Sequence, residues 1–411
     1  MDVLRERNFR LVFAAQAISW LGTMLVPVAL SFAVLDLTGS ASDLGLVLGS
    51  GALALVVFML AGGVVADRVP RQVVMIAADI GRCLSQLALG LTLVTGHPPV
   101  LLLACLTAVA NAATAMFTPA ANGLTPALVP AELLQRANAV LQTTIAASGL
   151  VGPAVAGALV VTAGPGWAIV ADAVTFALSA LLLSRLRIES APRPEREHWI
   201  ADLRAGWADF RSRTWFRAVV LSFTSINLCY AVYLVLGPVI SRRYYDGAAS
   251  WATVSAATGA GAIIAGLAAT RLRPRHPLRV AVLFGLLSGL APLAFSGRMP
   301  IWLVACAAAL DGAGVVLFES LWQTTVQTHI PEEMLSRASS YDYFASFSAM
   351  PVGLAIAAPL ASAVGLRPML LLVAVLTLGS VLAMLAVRSV RELGPAADAA
   401  DPPLAVIRPD L

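Results

Sequence analysis

The sequence predicts an all-α integral membrane protein of twelve transmembrane helices, arranged as two six-helix repeats. Three observations predict it. First, of 411 residues 59% are hydrophobic and only 12% charged, against about 25% charged in a soluble globular chain. That excess of apolar side chains is too large for a water-soluble core and suits helices that face lipid. Second, twelve apolar stretches follow at regular spacing, each near the roughly 20 residues that a bilayer-spanning helix needs. Third, the 27 basic residues, all arginine, divide unequally between alternate loops.

The spans are expected at 11–35, 44–66, 72–95, 99–121, 137–162 and 167–185, then at 216–240, 250–270, 279–296, 301–325, 337–363 and 367–387. The charged start, Met1 to Arg10, precedes an apolar run longer than a signal-peptide core and without a small-residue cleavage site, so span one reads as retained. Residues 186–215 carry Pro192, Pro194 and a run of charges from Arg187 to Arg213, and they read as a linker. The expected organisation is an N-terminal half 1–185, a cytoplasmic linker 186–215, a C-terminal half 216–388 and a cytoplasmic tail 389–411.

Arginine sets the orientation. With both termini cytoplasmic, 22 arginines fall inside, while Arg242, Arg243, Arg298 and Arg367 fall outside and Arg82 lies within a span. This satisfies the positive-inside rule and requires an even number of spans in a bacterial-type inner or plasma membrane. The halves also echo each other. Gly63, Ala66 and Arg68 match Gly266, Ala269 and Arg271 at a shift of 203, and Pro130, Arg136 and Ala137 match Pro331, Arg337 and Ala338 at a shift of 201. Parallel repeats of this kind are a known transporter symmetry.

Several chemistries are disfavoured. Without lysine there is neither a phosphate-binding loop of the lysine type nor a Schiff-base lysine. Cys83, Cys105, Cys229 and Cys306 each lie in an apolar stretch and form no CxxC pair, so neither a disulfide framework nor a metal site is expected. His97, His198, His276 and His329 sit at loops or span ends, which disfavours a buried histidine relay or a clustered catalytic set. No cofactor, metal or nucleic-acid partner is expected.

Three motifs carry a resemblance. After span two comes Gly62-Gly63-Val64-Val65-Ala66-Asp67-Arg68-Val69-Pro70-Arg71. Glycines there let helix backbones approach closely, an aspartate can cap a nearby helix N-terminus and arginines can pair across halves. Span five holds Gly149, Gly152-Pro153 and Gly157, small residues around a bend. The loops Thr125-Pro126-Ala127-Leu128-Val129-Pro130 with Arg136-Ala137-Asn138, and Trp322-Gln323-Thr324 with Ser336-Arg337 and Ser340-Tyr341-Asp342, occupy equivalent places in the halves. From Asn8 to Arg388 the chain resembles the major facilitator superfamily, in particular its drug, macrolide and siderophore proton-antiporter branch. The first motif resembles that superfamily's cytoplasmic loop signature, and the second its antiporter signature, from which Ala156 departs where a second glycine is common. Asp67 is matched in the second repeat by Thr270, which makes the expected latch one-sided.

The resemblance implies that spans one, four, seven and ten line a cavity. A charge at mid-bilayer costs roughly 2.5–3.5 kcal/mol on insertion scales, so each one needs a partner or a task. On span ten, Asp311, Phe318 and Trp322 share a stripe, with Glu319 about 80° around. Glu319, and secondarily Asp311, are the candidate proton-coupling groups. Gln16, Trp20, Asn111, Asn227, Tyr230 and Trp322 are candidate cavity residues for an amphipathic ligand. Gly63, Asp67, Arg68, Arg71 and Asp342 form the expected latch, with Asp342 in reach of Arg68 or Arg71. Asp79 and Arg82, three apart on span three, read as an internal structural pair, and Asp172 on span six as structural too. The function implied is proton-coupled efflux of an amphipathic small molecule by a monomer, not an enzymatic reaction. The alternative is a lysophospholipid flippase or an importer of the same fold; a membrane enzyme or receptor fits less well.

Overall fold

Each of the twelve apolar stretches folds into one helical span. The computed structural model describes residues 2–125, 128–186, 213–269, 271–272, 274–330 and 342–393, with the side chains of 2–3, 60–68, 131–132, 135 and 139 outside that description. The first six spans are Arg7–Thr38, Ala41–Arg68, Arg71–Thr95, Val100–Leu124, Ala131–Thr162 and Pro165–Ser184. The second six are Thr214–Tyr244, Ala248–Ala269, Pro277–Ser296, Ile301–His329, Asp342–Val364 and Leu366–Ala386. No strand occurs among the described residues. Most of the expected linker and all of the tail beyond 393 lie outside the described residues.

The two halves are built alike. Span one packs on five and six, two on four, and three on four and six; seven packs on eleven and twelve, eight on ten, and nine on ten and twelve. Adding six to each span of the first set gives the second. The contacts between halves obey the same two-fold: two meets eleven, five meets eight, and one meets seven at the centre. Local signals repeat as well. Pro99 and Pro300 precede spans four and ten. Gly164 and Gly365 start spans six and twelve at φ 92° and 94°, a backbone region that favours glycine. Both pairs are 201 residues apart, the shift that relates Pro130 to Pro331.

Among the described residues three spans are interrupted, each shortly before a proline: one, nine and eleven, the last at Ala349 before Pro351. Span one consists of Arg7–Thr23 and Val26–Thr38. Pro27 has no N–H for the Thr23 carbonyl, so the ladder lapses there. Span nine consists of Pro277–Gly285 and Leu290–Ser296, joined through Gly289 at φ 97°. Pro292 likewise cannot donate to the Ser288 carbonyl. Arginines finish several helices by donating to orphan terminal carbonyls, where the dipole also favours a cation. Arg71 reaches Gly123 O at the end of span four, Arg213 reaches His329 O at 3.1 Å, and Arg367 reaches Ser296 O at 2.8 Å.

The cores show how the halves meet. At the end away from the termini one apolar core runs through both halves, from Val28, Phe32 and Leu35 of span one to Val232, Leu236, Trp251 and Leu354. At the end that carries the termini the cores are separate. Phe9, Val12, Met75, Phe117 and Leu183 belong to the first half alone; Phe216, Leu278, Phe318, Trp322 and Val381 belong to the second alone. Among the described residues the buried cores therefore join at the distal end and stay separate at the terminal end.

Candidate functional site

Asp311 and the tyrosines of span seven meet beside the break in span nine. The break leaves the first amides of its second half without helical partners, and the backbone N–H groups of Gly289 and Ala291 turn to the Asp311 carboxylate. Asp311 also lies within electrostatic reach of Tyr230 and Tyr233. The two rings are 6.3 Å apart, and Tyr233 continues into an aromatic group with Trp251 and Phe295. Tyr230 is 48% exposed although it sits mid-span, whereas Tyr233 is buried. An exposed ring next to a carboxylate offers both an apolar face and a negative charge.

Glu319, two turns along span ten toward the terminal end, is exposed and accepts a hydrogen bond from Gln323 Nε2 at 2.7 Å. Its charge acts on that of Asp342. Asp342 accepts from Trp322 Nε1 at 2.8 Å and from Ser346 Oγ at 3.2 Å. Both bonds lie inside its own half. Arg71 is itself turned to Gly123. The side chains of Gly63, Asp67 and Arg68 fall outside the described residues, as do Ser336 and Arg337, so the latch rests on sequence.

Trp322 takes a different position from the cavity wall expected of it. It is 1% exposed, stacked on Phe216 at 5.4 Å and edge-on to Trp215 at 5.8 Å. Helical phase puts Trp322 on the same stripe as Asp311, but the start of span seven covers it. Gln16 is also buried, Trp20, Asn111 and Asn227 are half-buried. The amides of Asn111 and Asn227 donate to the i−4 carbonyls Thr107 O and Phe223 O, at 2.9 and 3.1 Å.

The small residues of span five divide between two neighbours. The Gly149 carbonyl lies against Gly259 of span eight, and Gly157 faces Ala252. Gly152 packs on Met24, at the break in span one, instead of on span eight. Pro153 sits within the helix without breaking it. Gly261 and Gly266 of span eight face Ala309 and Val316 of span ten. The motif thus joins span five to span one as well as to the other half.

A second polar cluster was only partly visible in the sequence. Arg82 bridges Asp79 as the i, i+3 spacing suggests, and its guanidinium lies 4.2 Å from the ring centres of both Phe117 and Phe176. Gln86 Nε2 donates to Asp172 Oδ2 at 3.0 Å, a contact between spans three and six that no local spacing announces. At the distal end Arg242 of span seven meets Asp36 of span one at 3.4 Å and donates to the Leu35 carbonyl.

The sequence profile of the Major Facilitator Superfamily matches residues 12–354. The chain belongs to that superfamily. It is 26% identical over 375 residues to macrolide efflux protein A of Streptococcus pyogenes, covering 89% of this chain and 92% of that one. It is 30% identical over 334 residues to the enterobactin exporter EntS of Escherichia coli O139:H28, covering 80% and 79%. Among solved structures, a POT family transporter in complex with a thioalcohol-conjugated peptide aligns with TM-score 0.74 at 11% identity, over 92% of this chain and 96% of that one. A bacterial homologue of the human lysosomal transporter Spinster aligns with TM-score 0.72 at 14% identity, over 95% and 99%. These structures share the fold. The protein is a multi-pass secondary transporter of the major facilitator fold; among the described residues no cluster of metal-ligating side chains occurs.

Proposed function

We propose that the protein exports an amphipathic small molecule in exchange for protons, as a monomer working by alternating access. The observation that carries the reading is the arrangement of the cores: one shared core at the distal end, and separate cores at the terminal end. That is one of the two states that alternating access needs. With the termini cytoplasmic, as the arginine distribution favours, it is the state that takes up cargo from inside. Two relatives are named for export, of a macrolide and of enterobactin, and both suggest a bulky amphipathic cargo. The exposed face of Tyr230 beside Asp311 suits such a molecule.

Energy is sufficient. One proton moving through about 100 mV supplies about 2.3 kcal/mol, enough for roughly a fifty-fold gradient at about 1.4 kcal/mol per tenfold. Asp311 and Glu319 are the proposed coupling groups of the second half. The experiment uses proteoliposomes with an imposed proton gradient and ethidium or erythromycin as the probe. Accumulation should require the gradient and collapse with an uncoupler. Asp311→Asn and Glu319→Gln should each reduce it more than tenfold while downhill equilibration continues. Gradient-independent accumulation, or wild-type accumulation by the double variant, overturns the assignment. Movement of a fluorescent lysophospholipid in place of either probe would favour a flippase.

A further inference from the structure

The buried cluster between spans three and six does not balance its charge. Asp79 and Asp172 are 0% exposed and Arg82 is 4% exposed. Two carboxylates therefore face one guanidinium. Among the described residues, the other elements packed around them add no counter-charge. Span four contributes the Phe117 ring, and span one contributes Gly22, where an added Cβ would lie 2.5 Å from Asp172 Oδ1. The remaining titratable neighbour is Cys83, on span three itself. A buried carboxylate without a cation neutralises by binding a proton.

The bonding says which carboxylate carries it. Arg82 Nη2 is committed to Asp79. The Asp172 carboxyl receives one neutral donor, Gln86 Nε2 at 3.0 Å, while Thr175 Oγ1 lies 3.4 Å away and donates to the Asp172 backbone carbonyl at 2.7 Å. The cluster also holds spare capacity. Ser179 is the side-chain donor next to Asp79, while Arg82 Nε and Gln86 Oε1 are buried without a hydrogen-bond partner. A network that exists only to brace two helices has no need of two such atoms. They suit a network with a second arrangement. When Asp172 loses its proton, the free Arg82 Nε can turn toward the new carboxylate, so that one guanidinium serves both acids.

We propose that Asp172 carries an exchangeable proton and that the break in span one, held against it at Gly22, responds to its loss. Span one is a cavity wall, and Gly152 of span five packs on Met24 at the same break. Uptake converts the Asp172 carboxylate to the acid, with Arg82 on Asp79. Release returns the proton to water and draws Arg82 across. This rests on the reading of proton-coupled export, and it adds a proton site in the first half beside those proposed in the second.

Infrared difference spectroscopy on the purified full chain, between acid and alkaline buffer, tests the proton directly and needs no cargo. Beside the contributions of Asp311 and Glu319, wild type should show a protonated-carboxyl band that is missing from Asp172→Asn, retained in Asp79→Asn and restored in Asp172→Glu. Proteoliposomes loaded with ethidium then test its use. Asp172→Asn imitates the protonated acid, so it should keep downhill equilibration within about twofold of wild type and lose uphill accumulation at least tenfold. An unchanged band in Asp172→Asn overturns the site. A lost band with uphill accumulation intact overturns its role in the cycle. Should wild type accumulate ethidium without a proton gradient, the proposed function fails, while the band still decides whether Asp172 holds the proton. Loss of folding in Asp172→Asn is read against Asp172→Glu, which must recover both band and accumulation for the proposal to stand.

Discussion

Gly259→Ala puts the contact between the halves under a measurable load. A methyl at that position would lie 2.5 Å from Gly149 O, 2.7 Å from Gly149 C and 2.8 Å from Leu150 Cα, where ordinary contact begins near 3.4 Å. All three are backbone atoms of span five, so no rotamer change relieves the clash. Spans five and eight must separate by most of an ångström. Overpacking of this kind costs about 1–3 kcal/mol. The cost falls only on states in which the two spans touch here. If they part during the cycle, the equilibrium moves away from the distally closed state by about 5–150-fold. Spin labels at Thr95 and Ser362, both exposed near the distal end, would report this by double electron–electron resonance. The wild-type distribution should be dominated by the shorter distance, and the variant should gain a longer one. An unchanged distribution with wild-type transport would refute the idea that this glycine pair is a state-dependent contact.

Two further outcomes follow from the same geometry. The Asp36–Arg242 pair, 55% and 41% exposed, is worth about 0–1 kcal/mol. Asp36→Asn should therefore raise distal opening by at most about fivefold. Arg242→Gln should do more, because it also uncaps the Leu35 carbonyl; alkylation of a cysteine at Ser40 measures both, and equal effects would count against the cap. Trp322→Phe keeps the aromatic stack but removes the donor to Asp342, a bond to a charged group worth about 1.5–3 kcal/mol. The melting temperature should fall, and an unshifted one would mean that water or Ser346 replaces the bond at no cost.

Hydropathy and arginine placement were enough to locate twelve spans and the two-fold repeat, because length and apolar content are what a bilayer selects. The breaks were not legible. Pro27 and Pro292 are ordinary in a membrane helix, and only the backbone at Met24 and Gly289 decides that the ladder lapses. Helical phase placed Asp311 and Trp322 on one stripe but could not show that Trp215 and Phe216 close over the latter. The Asp79–Arg82 pair followed from i, i+3 spacing. Its coupling to Asp172 did not, since spans three and six are brought together only by the fold of the half. Arg242 was read only as one of the outside arginines, and its pairing with Asp36 depends on how the halves meet. A polar residue in a span signals that a partner exists, and the partner's identity is a tertiary fact.

The separation of the terminal-end cores also bears on biogenesis. The first half can complete its own cores, around Phe9 and Met75, before any residue of the second has been synthesised. Its distal face, with Val28, Phe32 and Leu35, must wait for Val232, Leu236 and Trp251. In water such an uncovered apolar face would promote aggregation. In a bilayer lipid tails cover it at little cost, so the first half can persist as a folded intermediate. Docking of the halves is then the last assembly step, and its rate depends on lateral encounter within the membrane more than on chain collapse. Two separately synthesised halves should be able to find each other and reconstitute the bundle.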